Sequence, residues 1–200
     1  MTHVTHIPHR RIALLARLRP MNLARRFARR DDGAAAVEFA LVATPFLALL
    51  FAIMESALVF FSSQSLESSV TDSARLVMTG QAQTTDYKTG AAKAGGYSKD
   101  EFKKAVCARL SGLFDCTQLM VSVQTYADFG SANASTPLKD GKLTVDPDNL
   151  PYSAGTAGSI VVVQLYYKWP IYVSLLSNNL SNLGSDRLLV ATSVFRNEPF

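Results

Sequence analysis

Gly33-Ala-Ala-Ala-Val-Glu38-Phe39-Ala-Leu-Val-Ala-Thr-Pro45-Phe46 opens an apolar run that continues to Phe60 and Phe61. The sixteen residues from Phe39 to Met54 carry no charge. As a helix, the 28 residues from Ala34 to Phe61 extend about 42 Å at ~1.5 Å per residue. The hydrocarbon core of a bilayer is about 30 Å thick, so the stretch is read as a membrane span. A buried core helix is the alternative.

Two carboxylates interrupt this apolar character, Glu38 near the start and Glu55 near the end. A charge at the centre of a membrane helix costs roughly 2.5–3.5 kcal/mol on insertion scales, so a carboxylate inside needs a partner or a function. Glu55 is read either as interfacial or as a second intramembrane carboxylate. Glu38 lies five residues after Gly33, the last residue before the apolar run. A cut after Gly33 would leave a free amine on Ala34 and make Glu38 the fifth residue of the mature chain. In a lateral assembly, that carboxylate meets the amine of a neighbouring copy, and neither charge stays unpaired in a low dielectric. The alternative is a Glu38 solvated at headgroup level.

The core Gly33-Ala-Ala-Ala-Val-Glu38-Phe39, with Pro45, Phe46, Leu47 and Glu55 beyond it, resembles the TadE-like pseudopilin family of tight-adherence (Flp-type) pilus systems. The resemblance covers Gly33 to about Ser63. One departure is that Ser56-Ala57 follow Glu55, where family members often carry Gly. The resemblance implies an assembly component without catalytic residues or cofactor. It implies processing between Gly33 and Ala34 by a prepilin peptidase, and pairing through Glu38 and Phe39 with other pilins or pseudopilins.

Charge is divided unevenly. Residues 1–33 hold eight Arg against Asp31 and Asp32, while the remaining chain is net acidic, so the overall +4 comes from the leader. A basic arm beside a membrane span follows the positive-inside rule; with little aromatic interleaving it does not read as a nucleic-acid arm. Residues 1–33 are therefore expected in the cytoplasm. The span is expected in a bacterial inner membrane as a single pass, with everything beyond Phe61 periplasmic. A cleavable secretory signal would have an apolar core of about 7–15 residues, shorter than this one. Met21 is an alternative start that keeps Arg25, Arg26, Arg29 and Arg30; residues 1–20 then read as an extension or a disordered arm.

Pro45 removes one backbone bond, to the Leu41 carbonyl, and predicts a bend near Leu41–Pro45. Past Phe61, Leu66, Val70, Ala74 and Val77 recur at helical spacing among polar residues. A single helix from about Asp32 to Thr79, roughly 70 Å long, is predicted to be membrane-borne in its first half and amphipathic in its second. Gln81 to Gly96 reads as a polar linker. Ser98-Lys-Asp-Glu101 is a capping box that opens a helix over about Lys99–Ser111.

Cys107 and Cys116 are the only cysteines. An oxidising compartment favours a disulfide between them; two reduced core cysteines are the alternative. Two thiolates without a nearby His make a poor metal site. Three strands are predicted, over Leu119–Tyr126, over Ser159–Lys168 as the central one, and over Arg187–Phe195. Between the first two lies a long loop, Asp128–Gly158, with a short extra strand at Lys142–Val145; loops of this length are functional or mobile. The fold class is α+β and pilin-like, a long transmembrane-plus-amphipathic helix packed on a small antiparallel sheet. The domains are a leader over 1–33, the helix over 34–80 and a periplasmic domain over 81–200.

Enzyme readings fail on inventory. His3, His6 and His9 all lie in the leader, which denies the domain a His-based triad or metal site. Asp140, Asp146 and Asp148 lack EF-hand spacing. A different class of protein, an unprocessed signal-anchored binding or structural protein of the envelope, remains the second reading; the mature N-terminus discriminates the two.

Overall fold

Helix α1 runs from Ala34 to Met78 without a break. It belongs to a computed structural model that describes residues 33–110, 112–172 and 180–200. The basic leader, Met21 and the three histidines lie outside the described residues. The chain divides into two units between Leu47 and Ala48.

From Glu55 onward α1 has a buried face. Glu55, Val59, Ser62, Leu66, Ser69, Val70, Ser73, Ala74 and Val77 are buried, at alternating steps of mainly three and four residues. That spacing keeps one stripe of the helix toward a partner. Leu66, Val70 and Val77 are wholly excluded from solvent, each contributing about 1.5–3 kcal/mol relative to exposure. The helix stops at Gly80, whose φ of 81° is the left-handed conformation that glycine adopts without a Cβ penalty. Three of its last four carbonyls have backbone donors. Thr79 N–H donates to Arg75, Gly80 N–H to Val77, and Glu198 N–H, from the far end of the chain, to Met78 at 2.9 Å.

The segment read as a linker is folded. Helix α2 spans Gln81–Thr84, Thr85 bridges to Ala92, and Ala82 and Tyr97 are buried. Its polar composition hid this because Ala82 is its one buried side chain, with Tyr97 just beyond, while backbone bonds and an Asp86 turn supply the rest. Asp86 accepts from Lys88 and Thr89 N–H. Helix α3, Lys99–Cys107, begins in the capping box, with Ser98 accepting from Glu101 N–H and Glu101 accepting from Ser98 N–H. The Ser98 N–H, and then Lys93, hold the Glu101 carboxyl below the usual carboxylate range. The helix is shorter than the predicted 99–111. Arg109 and Leu110 N–H reach back three residues, to Val106 and Cys107, so the helix tightens into turns after Cys107.

Three antiparallel strands form the sheet, β1 (Leu119–Tyr126), β4 (Ile160–Pro170) and β5 (Asp186–Arg196), in the order β1-β4-β5. The central strand β4 carries the nearly continuous apolar run, as a strand buried on both faces should. Alternate residues of β4, Val161, Val163, Leu165, Tyr167 and Trp169, enter one core with α1 and α3. The opposite face has a smaller core of Met120, Tyr166 and Leu188, covered by Leu150 and flanked by Leu138 and Leu143. Those covering residues come from the long loop, so it acts here as a second layer. Leu138–Lys139 (β2) and Lys142–Leu143 (β3) pair as a hairpin within it. Burial pushes the Tyr166 hydroxyl up to about 12. The loop also closes the edge of β1, since Val123 N–H donates to Pro151 and Ser153 N–H to Val123, both at 2.9 Å. A paired edge is no longer a template for another strand.

Candidate functional site

The N-terminal part of α1 starts one residue after Gly33. No neighbour occupies the space that a Cβ on Gly33 would fill. Nothing among the described residues therefore crowds a side chain at this position. Glu38 is exposed on the second turn and makes no hydrogen bond or ion pair among the described residues. Phe39 beside it is 74% exposed. From Ala34 to Leu47 no residue is buried, so the segment offers all its sides to whatever surrounds it.

Pro45 sits inside the helix and cannot donate to the Leu41 carbonyl. One residue earlier, the Thr44 hydroxyl donates to the Ala40 carbonyl at 2.7 Å. This turn therefore combines a missing backbone bond with a side-chain bond to the backbone, a combination found where membrane helices accommodate proline.

Glu55 occupies a different environment. It is only 6% exposed, and its Oε1 accepts the backbone N–H of Tyr172, just past the end of β4. A buried carboxylate is tolerable when hydrogen-bonded in this way. Sequence reading located the residue at the end of the apolar run but had no means of finding its partner, 117 residues along the chain. Backbone N–H groups leave no signature in residue types.

Cys107 and Cys116 are joined in a disulfide, with Cα atoms 5.9 Å apart. The bond closes the turn that follows α3 and leads into β1. Beside it the Tyr167 hydroxyl accepts from Asp115 N–H at 2.9 Å. Phe114, Tyr167 and Trp169 pack edge-to-face or tilted, with ring centroids 4.8 to 6.2 Å apart. Next to this cluster is a recess of about 500 Å³, lined by Leu113, Lys168, Trp169, Tyr172 and Asp186 among others.

An exposed apolar helix of this length, followed by a small α+β domain, fits a single-pass membrane anchor. Residues 33–75 match the model of the family described as TadE-like protein, so this stretch of the chain is a TadE-like segment. The match suggests a protein associated with the tight-adherence pilus. No curated protein and no solved structure matches the chain.

Proposed function

We propose that the chain is a minor pilin or pseudopilin of a tight-adherence (Flp-type) pilus or a related secretion system. The observation that carries this is where the family match falls. It begins at Gly33 and follows α1 to its last turn. A prepilin peptidase cuts between Gly33 and Ala34, removing the basic leader 1–33 on the cytoplasmic side. The mature chain then assembles with other pilins or pseudopilins through the helix over 34–80, while residues 81–200 complete a periplasmic domain in front of the inner membrane.

Two features support the reading. Glu38 is exposed with no partner among the described residues, the condition required if its carboxylate neutralises the new amine of Ala34 on a neighbouring helix. Phe39 and Phe46 are likewise exposed, giving that helix apolar surface for lipid and for its neighbours.

Gly33→Leu and Glu38→Leu separate the two steps. A peptidase that closes on the backbone before the cut needs a residue without Cβ there, so Gly33→Leu leaves the longer, uncut form. Glu38→Leu is cut normally and inserted normally, but is recovered poorly in pilus or assembly fractions. Normal cutting of the first variant together with normal assembly of the second would leave a plain signal anchor in place of a pseudopilin.

A further inference from the structure

The apolar surface of α1 continues past the level at which the folded domain meets it. Ala34 to Phe61 spans 28 residues, about 42 Å as a helix, which matches a bilayer together with its headgroup layers at about 40–45 Å. Glu55 is six residues short of Phe61, or about 9 Å along the axis. With Phe61 at the outer limit of the headgroups, Glu55 lies near their boundary with the hydrocarbon.

At that level the two sides of the helix differ. Glu55 and Val59 are buried, while Leu58, Phe60 and Phe61 are 46%, 70% and 55% exposed. A water-facing helix has no use for three large apolar side chains beside its docked face; a lipid-facing one does. The carboxylate itself is shielded, because the protein supplies a donor, Tyr172 N–H, where water would be scarce. This donor fixes the end of β4 at the depth of Glu55. Tyr172 is 82% exposed there, and Leu113, which lines the same recess, is 50% exposed. Lys168 and Asp186 add charges of both signs to that recess. An exposed aromatic with a polar tip beside charged groups is the composition of a membrane–water interface.

We propose that the base of the folded domain, Tyr172 and Leu113 around the recess, is seated in the lipid headgroup layer, with Glu55 as the tie that holds it at that depth. The proposal rests on the reading of α1 as a membrane span, and the test separates the two. The single native Trp is replaced by Phe (Trp169→Phe), and one reporter Trp is placed at Tyr172, Phe46 or Phe200. Each full-length protein is reconstituted in phosphatidylethanolamine–phosphatidylglycerol vesicles containing lipid brominated at a shallow or a deep acyl position.

The Tyr172→Trp reporter is expected to be quenched, more strongly by shallow than by deep bromine. Phe46→Trp is expected to be quenched most by deep bromine. Phe200→Trp, beside Gly80 at the far end of α1, should not be quenched. Quenching at position 46 without quenching at 172 overturns the seating while leaving the span intact. Absence of quenching at 46 removes the span and the proposal with it. Should position 172 be unquenched while Phe60→Cys forms disulfide-linked dimers in the same vesicles, the exposed face belongs to a second copy and the lipid assignment is wrong.

Discussion

The two halves of α1 solve opposite problems with different compositions, the first almost wholly apolar and the second mixed. From Ala34 to Met54 no side chain is buried, and the exposed large residues Phe39, Leu47, Phe51, Leu41 and Leu49 together go round the whole helix. From Glu55 to Val77 one stripe is buried and the opposite side carries Glu67, Thr71 and Arg75 in the open. A helix surrounded by lipid needs no preferred face, because its solvent is apolar on every side. A helix docked on a sheet does, because water takes the other side. The buried stripe is also rich in small residues, Ser62, Ser69, Ser73 and Ala74. Small side chains let the helix backbone approach its partner closely, at the cost of hydroxyls that need partners.

The contrast breaks most sharply at single core positions. Leu66→Ala should destabilise the domain by about 2–5 kcal/mol, since Leu66 is fully buried and a cavity would remain. Phe46→Ala, a larger truncation in the exposed half, should leave domain stability unchanged. Denaturation of the full chain in detergent micelles, followed by Trp169 emission, reads both. Equal losses would mean that the first half also packs on protein.

The buried serines sharpen the comparison further. Ser69 donates to the Val106 carbonyl on α3 at 3.3 Å, whereas the Ser62 and Ser73 hydroxyls are buried without a hydrogen-bond partner among the described residues. Ser69→Ala is expected to cost about 1 kcal/mol, and Ser73→Ala to be neutral or stabilising by about as much. The same denaturation assay compares them. A loss on Ser73→Ala as large as that on Ser69→Ala would mean that the hydroxyl is satisfied in solution, for example by a buried water.

Much of this division was legible in the residues. The recurrence of Leu66, Val70, Ala74 and Val77 gave the docked stripe, and the end expected near Thr79 falls within one residue of the observed Met78. The run Ile160–Tyr167 announced the central strand, and Leu119–Tyr126 was located to the residue. What was not legible involved partners distant in sequence or groups that residue types do not reveal. Ser62 and Ser73 are polar residues that no apolar period singles out; only the stripe's geometry shows them inward. The segment 81–96 looked like a linker, because a fold held by backbone bonds and one buried side chain, Ala82, has no apolar period. The loop over 128–158 gave no sign that Leu138, Leu143 and Leu150 would roof the second face of the sheet. In the candidate site, Gly33, Glu38 and Pro45 were visible as a spacing pattern, while the bond from Tyr172 to Glu55 was not.

The central claim is that α1 begins the mature protein, so that a cut at Gly33 turns a membrane anchor into an assembly helix. The most direct test is the intact mass of the protein purified from membranes of cells that carry the whole pilus system. The account predicts a chain that starts at Ala34, with Glu38 as its fifth residue. A mass that retains Gly33 and the arginines before it, in cells whose other prepilins are cut, would contradict it.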